Sequence, residues 1–207
     1  MFGSVEVRFT GSAGDGTPLT REALKNGAGR IIAVGGDGSV NEVVNGFFVD
    51  GEAVNFEAEL MVYPVGTGGD LARSIGLSER RGLQDLTVRI VDVGLARFSG
   101  GDDRPISRYF LNISSFGSSG RVVQKVNVTT KAFGGQASFL LGTIRGLRAH
   151  TNQPVRFTFD DQDTEEMTIN MAAVANARYF GGGMKIAPDA EMDDGFFDVV
   201  VVGDLGL

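Results

Sequence analysis

The chain has 207 residues, of which 42% are apolar, and its 19 basic and 26 acidic side chains give a formal net charge of −7. This composition suits one large or two small globular domains, and it disfavours a nucleic-acid partner because that class needs a basic surface. The absence of cysteine excludes disulfides and thiolate chemistry. With no signal-peptide pattern and no apolar run of the roughly 18 residues that span a bilayer, a cytoplasmic protein is expected.

The chain begins with elements that predict a strand–loop–helix unit. Residues 5–9 alternate as a strand does, and a short helix is expected near residues 18–26. Residues 31–34 are a continuous apolar run, which is typical of a parallel strand buried on both faces. The glycine-rich loop 35–38 ends that run, and a helix is expected to begin directly after it, at residue 39.

The predicted helix has its own start signal and apolar face. Ser39 and Glu42 have capping-box spacing. Apolar side chains then recur at helical spacing, at Val40, Val43, Val44, Phe47 and Phe48.

The pattern repeats over residues 59–77. Residues 59–64 predict a strand, residues 65–69 a second glycine loop, and residues 70–77 a short helix that Thr67 or Asp70 could cap. Two such units in succession favour a Rossmann-like α/β domain with a parallel sheet.

The second part of the chain predicts strands without regular helices between them. Alternating residues indicate strands over 87–93, 155–159 and 196–202, and one helical region is expected roughly over 118–149. We therefore expect an α/β domain over residues 1–86 and a β-sandwich-type domain with an inserted helix over residues 87–207.

The loop 35–39 is the strongest local signal for chemistry. Glycines permit a close approach of the backbone to a ligand and positive φ angles, and a helix N-terminus attracts phosphate. Asp37 suits such a loop if Mg²⁺ or a substrate hydroxyl is also bound. The loop is neither a Walker A motif nor a dinucleotide fingerprint, and a plain strand–helix turn remains the alternative. The second loop follows the same logic, and both should face one crevice at the edge of the sheet.

A third segment, residues 181–198, combines three glycines with an acidic turn. Asp193, Asp194 and Gly195 form a sequence suited to a hard cation with oxygen ligands. An ordinary Asp-Gly hairpin turn is the alternative interpretation.

Taken in order, these motifs resemble the diacylglycerol kinase catalytic family, which includes bacterial lipid kinases and the sphingosine kinases. The resemblance covers nearly the whole chain, from about Val7 to Val202. Its motifs are Gly-Gly-Asp-Gly-Ser-Val-Asn-Glu at 35–42, Tyr-Pro-Val-Gly-Thr-Gly-Gly-Asp-Leu-Ala-Arg at 63–73, Asn-Ile-Ser-Ser-Phe-Gly at 112–117, and Gly-Gly-Gly-Met-Lys-Ile-Ala-Pro-Asp-Ala at 181–190 with Asp-Asp-Gly at 193–195.

The resemblance implies a nucleotide site, a metal site and a fold. The nucleotide-binding positions are Thr10, Gly35, Gly36, Asp37, Gly38, Ser39, Val40, Asn41, Glu42, Gly66, Thr67 and Asp70. Asp194 would bind a structural or regulatory Mg²⁺ together with backbone carbonyls of Glu191 and Phe196. The family fold is an α/β domain plus a β-sandwich, with the active site between them.

Some features depart from the family pattern. Gly69 stands where the family usually has Asn, and Ser39 stands where it usually has Thr. The family's opening strand is missing before Met1, and its Asp-Gly-Glu motif, whose acid is the proposed general base, would follow Leu207. The expectation is a fragment truncated at both ends or a degenerate gene product, with weak catalysis and Asp37 as the remaining candidate catalytic residue.

The resemblance implies transfer of the γ-phosphoryl group of ATP to a lipid hydroxyl, diacylglycerol-like, with Mg²⁺. A kinase of NAD or another small molecule, and a nucleotide-binding module without catalysis, are the alternatives. A homodimer is left open.

Charge is segregated along the chain. No acidic residue lies between Arg104 and Phe159, and apolar side chains at 139–144 adjoin Arg145 and Arg148. This arrangement suits a core-facing apolar stripe with solvated arginines, and peripheral docking on the inner membrane face is the functional alternative.

Overall fold

The computed structural model describes residues 4–65, 69–77, 87–100, 102–118, 152–160 and 164–204. Its contacts divide the chain into two compact units, Met1–Leu111 and Asn112–Leu207. The first unit thus extends beyond the domain boundary expected from sequence at residues 86 and 87. Each unit is described by itself below.

The first unit combines helices with short strands, as the sequence predicts for an α/β fold. In chain order its elements are α1 Gly16–Lys25, β1 Arg30–Gly35, α2 Asp37–Gly46, β2 Phe48–Val49, β3 Glu52–Ala53, β4 Glu59–Pro64, α3 Asp70–Ser74, β5 Gly94–Ser99 and β6 Pro105–Phe110.

Strands β1 and β4 form a parallel pair, which is the central prediction of the sequence for this unit. The register pairs Arg30 with Glu59 at one end and Gly35 with Pro64 at the other. Both strands therefore end at the same level of the sheet.

Helices α1 and α2 pack closely because a glycine lies where they cross. A Cβ atom on Gly46 would lie 2.5 Å from the Cβ of Thr20 and 2.7 Å from the backbone oxygen of Thr17. Leu24 of α1 and Val44 of α2 are buried. Val40 and Val44 of the apolar face predicted for α2 are buried, as expected, whereas Phe47 and Phe48 follow the end of the helix and Phe48 lies in β2.

The β5–β6 hairpin is held on α2 by amide side chains, which is why the first unit continues to Leu111. Asn45 Nδ2 donates to the backbone oxygen of Tyr109 (3.0 Å), and the Tyr109 N–H donates back to Asn45 Oδ1 (2.9 Å). Asn41 Nδ2 also donates to the Tyr109 oxygen (2.9 Å). The rings of Phe48 and Tyr109 stack with their centroids 4.4 Å apart.

Two strands predicted in this unit are wrong. Residues 4–10 and 87–93 form no strand, and the later strand begins only at Gly94, where it pairs with β6. The side chains of Phe9 and Ile90 are 89% and 92% exposed. Alternation indicates which side chains could share a face, but a strand also needs a neighbour that accepts its ladder hydrogen bonds.

The second unit is β-rich, as predicted, and is built on one long strand. Its elements are β7 Ile113–Gly117, β8 Gln153–Thr158, β9 Thr164–Ala175, β10 Tyr179–Phe180, β11 Met184–Lys185 and β12 Asp198–Gly203. Strand β9 pairs antiparallel with β7, β8 and β12. Strands predicted at 155–159 and 196–202 are confirmed with shifted ends.

The inserted helix predicted near 118–149 lies almost wholly outside the described residues, as do Arg145 and Arg148. Among the residues that the structure does describe, no helix is both long and apolar enough to cross a membrane.

Asn45→Ala tests the attachment of the hairpin. The change removes the acceptor of the Tyr109 N–H, and an unsatisfied buried donor typically costs 1–3 kcal/mol, so we expect the free energy of unfolding to fall by about 2 kcal/mol. Urea unfolding measures this. Asn26→Ala, at the exposed end of α1, is the matched control and should change stability by less than about 0.5 kcal/mol. Equal losses in both variants would contradict the role given to Asn45.

Candidate functional site

The two glycine-containing loops leave the sheet side by side. Gly35 and Pro64 are register partners, and the N–H of Val65 donates to the oxygen of Gly35 (3.2 Å). The loops therefore begin at the same carboxyl edge, where open α/β sheets commonly bind ligands. Gly66 and Thr67 of the second loop lie outside the described residues, so their nucleotide contacts remain predictions.

The first loop needs glycine for close approach. A Cβ atom on Gly35 would lie 2.6 Å from both Cβ and Oγ of Ser39. The next residue, Gly36, has φ −91° and ψ −173°, an extended conformation that any residue adopts. Helix α2 begins at Asp37, earlier than the Ser39 start expected from sequence. The tight strand–helix junction, not a positive φ angle, requires the glycine at position 35.

The predicted capping box between Ser39 and Glu42 is wrong. The N-cap of α2 is Gly36, so Ser39 already lies inside the first turn and cannot act as a cap. Glu42 instead accepts hydrogen bonds from another element. Its Oε1 accepts from the N–H of Gly14 (2.8 Å) and its Oε2 from the N–H of Gly16 (3.0 Å), at the start of α1.

Asp37 links the first loop to α3, the helix that follows the second loop. Its Oδ2 accepts from the N–H of Asp70 (3.1 Å) and its Oδ1 from the N–H of Leu71 (3.0 Å). These are the first N–H groups of α3, whose N-cap is Gly69 with φ 61°. Asp37 therefore caps α3 from a distant position in the sequence, and this hydrogen bonding accounts for a carboxylate in a loop that is otherwise suited to anions.

Asp70, expected as a cap or a nucleotide contact, binds an arginine of its own helix. Its carboxylate accepts from Arg73 Nη1 (2.8 Å), and its side chain is buried. Asp37 thus supplies hydrogen-bond acceptors to the start of α3, whereas Thr67, the other cap that the sequence suggested, lies outside the described residues.

Some of the predicted nucleotide-binding residues of α2 are exposed to solvent, whereas others are buried or bind other parts of the first unit. Gly38 and Ser39 are exposed in the first turn. Val40 is buried, and Asn41 binds the hairpin through Tyr109 and through its Oδ1, which accepts from Arg108 Nε (3.0 Å). The exposed part of the predicted site on α2 is therefore its first turn, at Gly38 and Ser39.

Asp15 is a structural residue that the sequence reasoning missed. Its Oδ2 accepts from the N–H groups of Gly11 and Ser12 (both 2.8 Å), directly after the predicted nucleotide contact Thr10. These hydrogen bonds, first of all that from the Ser12 backbone, lower the pKa of Asp15 below its usual value. The glycine, serine and aspartate residues between 11 and 16 are types that favour turns, which is the signal that could have indicated this one.

The third motif of the sequence forms two separate turns in the second unit. Gly181, Gly182 and Gly183, with φ 66°, 85° and 111°, connect β10 to β11. In the acidic turn, Asp194 Oδ1 accepts from the Phe196 N–H (3.0 Å), and Gly195 has φ 79°.

The acidic turn is not a hairpin, because the strand after it, β12, pairs with β9. Within the described parts of the chain, no group of three or more His, Cys, Asp or Glu side chains could hold a metal. The Mg²⁺ site at Glu191, Asp194 and Phe196 therefore stays a prediction.

Comparison with known proteins agrees with this architecture in both units. Residues 2–96 match the family model of the diacylglycerol kinase catalytic domain. Residues 112–206 match that of the YegS C-terminal NAD kinase beta sandwich-like domain.

Individual relatives cover nearly all of the chain. A protein of Chromohalobacter salexigens named "Probable lipid kinase YegS-like" is 35% identical over 95% of this chain. A diacylglycerol kinase of Bacillus subtilis is 30% identical over 93%. The chain spans 61% of the length of each relative. A crystal structure of a diacylglycerol kinase from Bacillus anthracis superposes with a TM-score of 0.67 and 26% identity, covering 95% of this chain and 61% of that one.

An α/β unit followed by a β-rich unit agrees with the fold of the diacylglycerol kinase structures to which the chain is similar. The first unit of this chain belongs to the diacylglycerol kinase catalytic-domain family, and the second unit belongs to the family of YegS C-terminal domains.

Gly35→Ala tests the close approach in the first loop. The added methyl group overlaps Ser39, and overpacking of this kind costs about 1–3 kcal/mol. We expect urea unfolding to show that loss, and Ser39→Gly to recover part of it in the double variant by removing both overlapping atoms. Gly29→Ala, where a Cβ meets no atom within 4 Å, is the control. If the stability changes of Gly35→Ala and Ser39→Gly simply add in the double variant, the contact between these two residues is not the reason for the glycine.

Proposed function

We propose that this chain is the nucleotide-binding and phosphoryl-transfer part of an ATP-dependent lipid kinase whose acceptor is a diacylglycerol-like hydroxyl. The observation that carries the proposal is that two loops begin at the register partners Gly35 and Pro64, with Asp37 of the first loop hydrogen-bonded to the helix that follows the second. The names of the relatives, lipid kinase and diacylglycerol kinase, support the choice of substrate class.

The first turn of α2 offers the groups that a nucleotide phosphate needs. The first intrahelical hydrogen bond of this region is donated by Val40 to the oxygen of Gly36 (3.1 Å), so the N–H groups of residues 37–39 precede it. These N–H groups and the positive end of the helix dipole favour an anion. Gly38 and Ser39 are exposed there, so a phosphate can approach the backbone.

Phosphoryl transfer needs positioning and charge stabilisation more than covalent chemistry from the protein. In this proposal the backbone of α2 binds phosphate oxygens, and Thr10, Thr67 and the second loop orient the nucleotide. Asp37 sets the distance between the loops through its hydrogen bonds to α3. Its remaining lone pairs make it the candidate to orient an acceptor hydroxyl.

The acidic turn fits Mg²⁺ chemically. Asp194 is exposed and supplies a carboxylate, and backbone carbonyls of Glu191 and Phe196 would complete an oxygen donor set of the kind that hard cations prefer. Mg²⁺ bound there would supply a structural link that holds the turn before β12.

Gly38→Ala is the test of nucleotide binding. A Cβ at this position meets no atom within 4 Å, and Gly38 has no positive φ angle, so the fold should tolerate Ala and gain about 0.5–1 kcal/mol from it. A methyl group on the first turn would nevertheless hinder the approach of phosphate. We expect the ATP dissociation constant, measured by calorimetry, to rise at least about tenfold, or about 1.4 kcal/mol.

The control for this experiment is Gly29→Ala, which lies just before β1, at the opposite end of the strand from the loop. Its ATP affinity should equal that of the parent. Unchanged affinity in Gly38→Ala would contradict phosphate binding at α2.

An assay of phosphoryl transfer distinguishes the three candidate functions. Transfer to diacylglycerol but not to NAD identifies a lipid kinase, and transfer to NAD identifies a small-molecule kinase. ATP binding without transfer to either acceptor indicates a binding module.

Asp194→Asn tests the cation site. Mg²⁺ that binds only the folded protein raises the melting temperature, so the parent should show a shift on adding Mg²⁺ and Asp194→Asn should lose it. Asp193→Asn removes the same charge one residue away and should keep the shift. If both variants respond to Mg²⁺ as the parent does, the segment is a turn without a cation.

A further inference from the structure

The turn between Thr10 and α1 is shaped by two carboxylates. Asp15 accepts from the N–H groups of Gly11 and Ser12, and Glu42 accepts from those of Gly14 and Gly16. We refer to residues 11–16 as the carboxylate-bound turn. Because Glu42 lies on α2, its two hydrogen bonds attach this turn to the same helix whose first turn follows the glycine loop.

The attachment is close as well as hydrogen-bonded. A Cβ atom on Gly16 would lie 2.9 Å from both Cβ and Oε2 of Glu42, so only glycine fits beneath the glutamate. Thr17 Oγ1 also donates to the backbone oxygen of Glu42 (2.9 Å). The start of α1 is thus docked on the middle of α2 by three hydrogen bonds and a tight contact.

These contacts bear on the role of Glu42, which the sequence placed among the nucleotide-binding residues. Both carboxylate oxygens already accept charge-assisted hydrogen bonds from the turn. A carboxylate turned toward a triphosphate would instead repel it, since like charges at short range are unfavourable. The geometry therefore favours an indirect role.

We propose that Glu42 is a positioning residue that holds the carboxylate-bound turn, and with it Thr10, in register with the phosphate-binding turn of α2, without contacting the nucleotide. The inference rests on the proposed function. It adds that Thr10 and the glycine loop, which are distant in the sequence, are connected through Asp15, which binds the residues directly after Thr10, and through Glu42, which binds the same turn to α2.

Glu42→Gln separates this role from direct contact by the sign of its effect. A carboxamide offers one acceptor oxygen and directs an N–H₂ group at the other backbone N–H, so one of the two hydrogen bonds is lost. If Glu42 positions Thr10, the ATP dissociation constant rises, about tenfold, as expected for the loss of one charge-assisted hydrogen bond. If Glu42 faced the phosphates, removing its negative charge would leave the affinity unchanged or improve it, and the proposal would be overturned.

Two further variants test whether the effect of Glu42→Gln comes from the position of the carboxylate or from the change in net charge. Gly16→Ala keeps the carboxylate but pushes it away from the turn, so it should weaken ATP binding in the same direction as Glu42→Gln. Glu52→Gln, on the exposed strand β3, removes the same charge elsewhere and should leave the affinity unchanged. An affinity loss in Glu52→Gln equal to that in Glu42→Gln would assign the effect to net charge and overturn the proposal.

A double-mutant cycle with Thr10→Ala tests whether Glu42 acts on ATP binding through Thr10. If Glu42 acts by placing Thr10, Glu42→Gln should cost clearly less affinity in the Thr10→Ala background than in the parent. Fully additive losses would show that Glu42 does not act through Thr10. If Glu42 had only a structural role, Glu42→Gln would lower the melting temperature without changing the ATP affinity of the folded protein. That result would also overturn the proposal.

Amide hydrogen exchange of Gly14 and Gly16 gives a readout that does not depend on the nucleotide. Exchange at both amides should be faster in Glu42→Gln than in the parent. If the parent binds no ATP, the proposed function fails while the exchange still reports on the attachment. If the parent binds ATP and neither exchange nor affinity changes in Glu42→Gln, the inference alone fails.

Discussion

The first unit depends on one helix that supplies carboxylates to the N-termini of two others. An α-helix leaves its first N–H groups without intrahelical partners, and each must find an acceptor. At α1 that acceptor is Glu42, and at α3 it is Asp37, both from α2. One helix therefore fixes where its neighbours begin, and the loops before them are fixed with it.

Glycines and amides make this arrangement possible around α2. Gly16, Gly35 and Gly46 lie where another side chain or backbone approaches within 3 Å of a Cβ position, so each permits a contact that any larger residue would prevent. At the other end of the helix, Asn45 binds both backbone groups of Tyr109. The proposed nucleotide loop is consequently the exposed part of a tightly connected assembly, which suits a site that works by positioning.

The second unit is organised around one strand, β9, which pairs with three other strands. Strand β9 pairs β7 over residues 171–175 and β8 over residues 164–169, and Asn170 falls at the change of partner, where the pairing with β12 also shifts register. Ala172, Ala173 and Ala175 are fully buried, since small side chains allow the surrounding groups to pack against the strand. Asn170 is buried as well and donates to Asn152 Oδ1 (2.9 Å), which satisfies part of its amide at the irregular position.

The sequence by itself determined the class of the fold, the parallel pair β1–β4, helix α2 and the family, because apolar periodicity and motif order are local properties of the chain. Only the tertiary structure decided which N–H groups Asp37 and Glu42 bind, that residues 5–9 form no strand, and that the hairpin joins the first unit. The reason is physical: a carboxylate or a strand edge binds whichever partner comes within hydrogen-bond reach, and a partner from another element has no fixed spacing in the sequence.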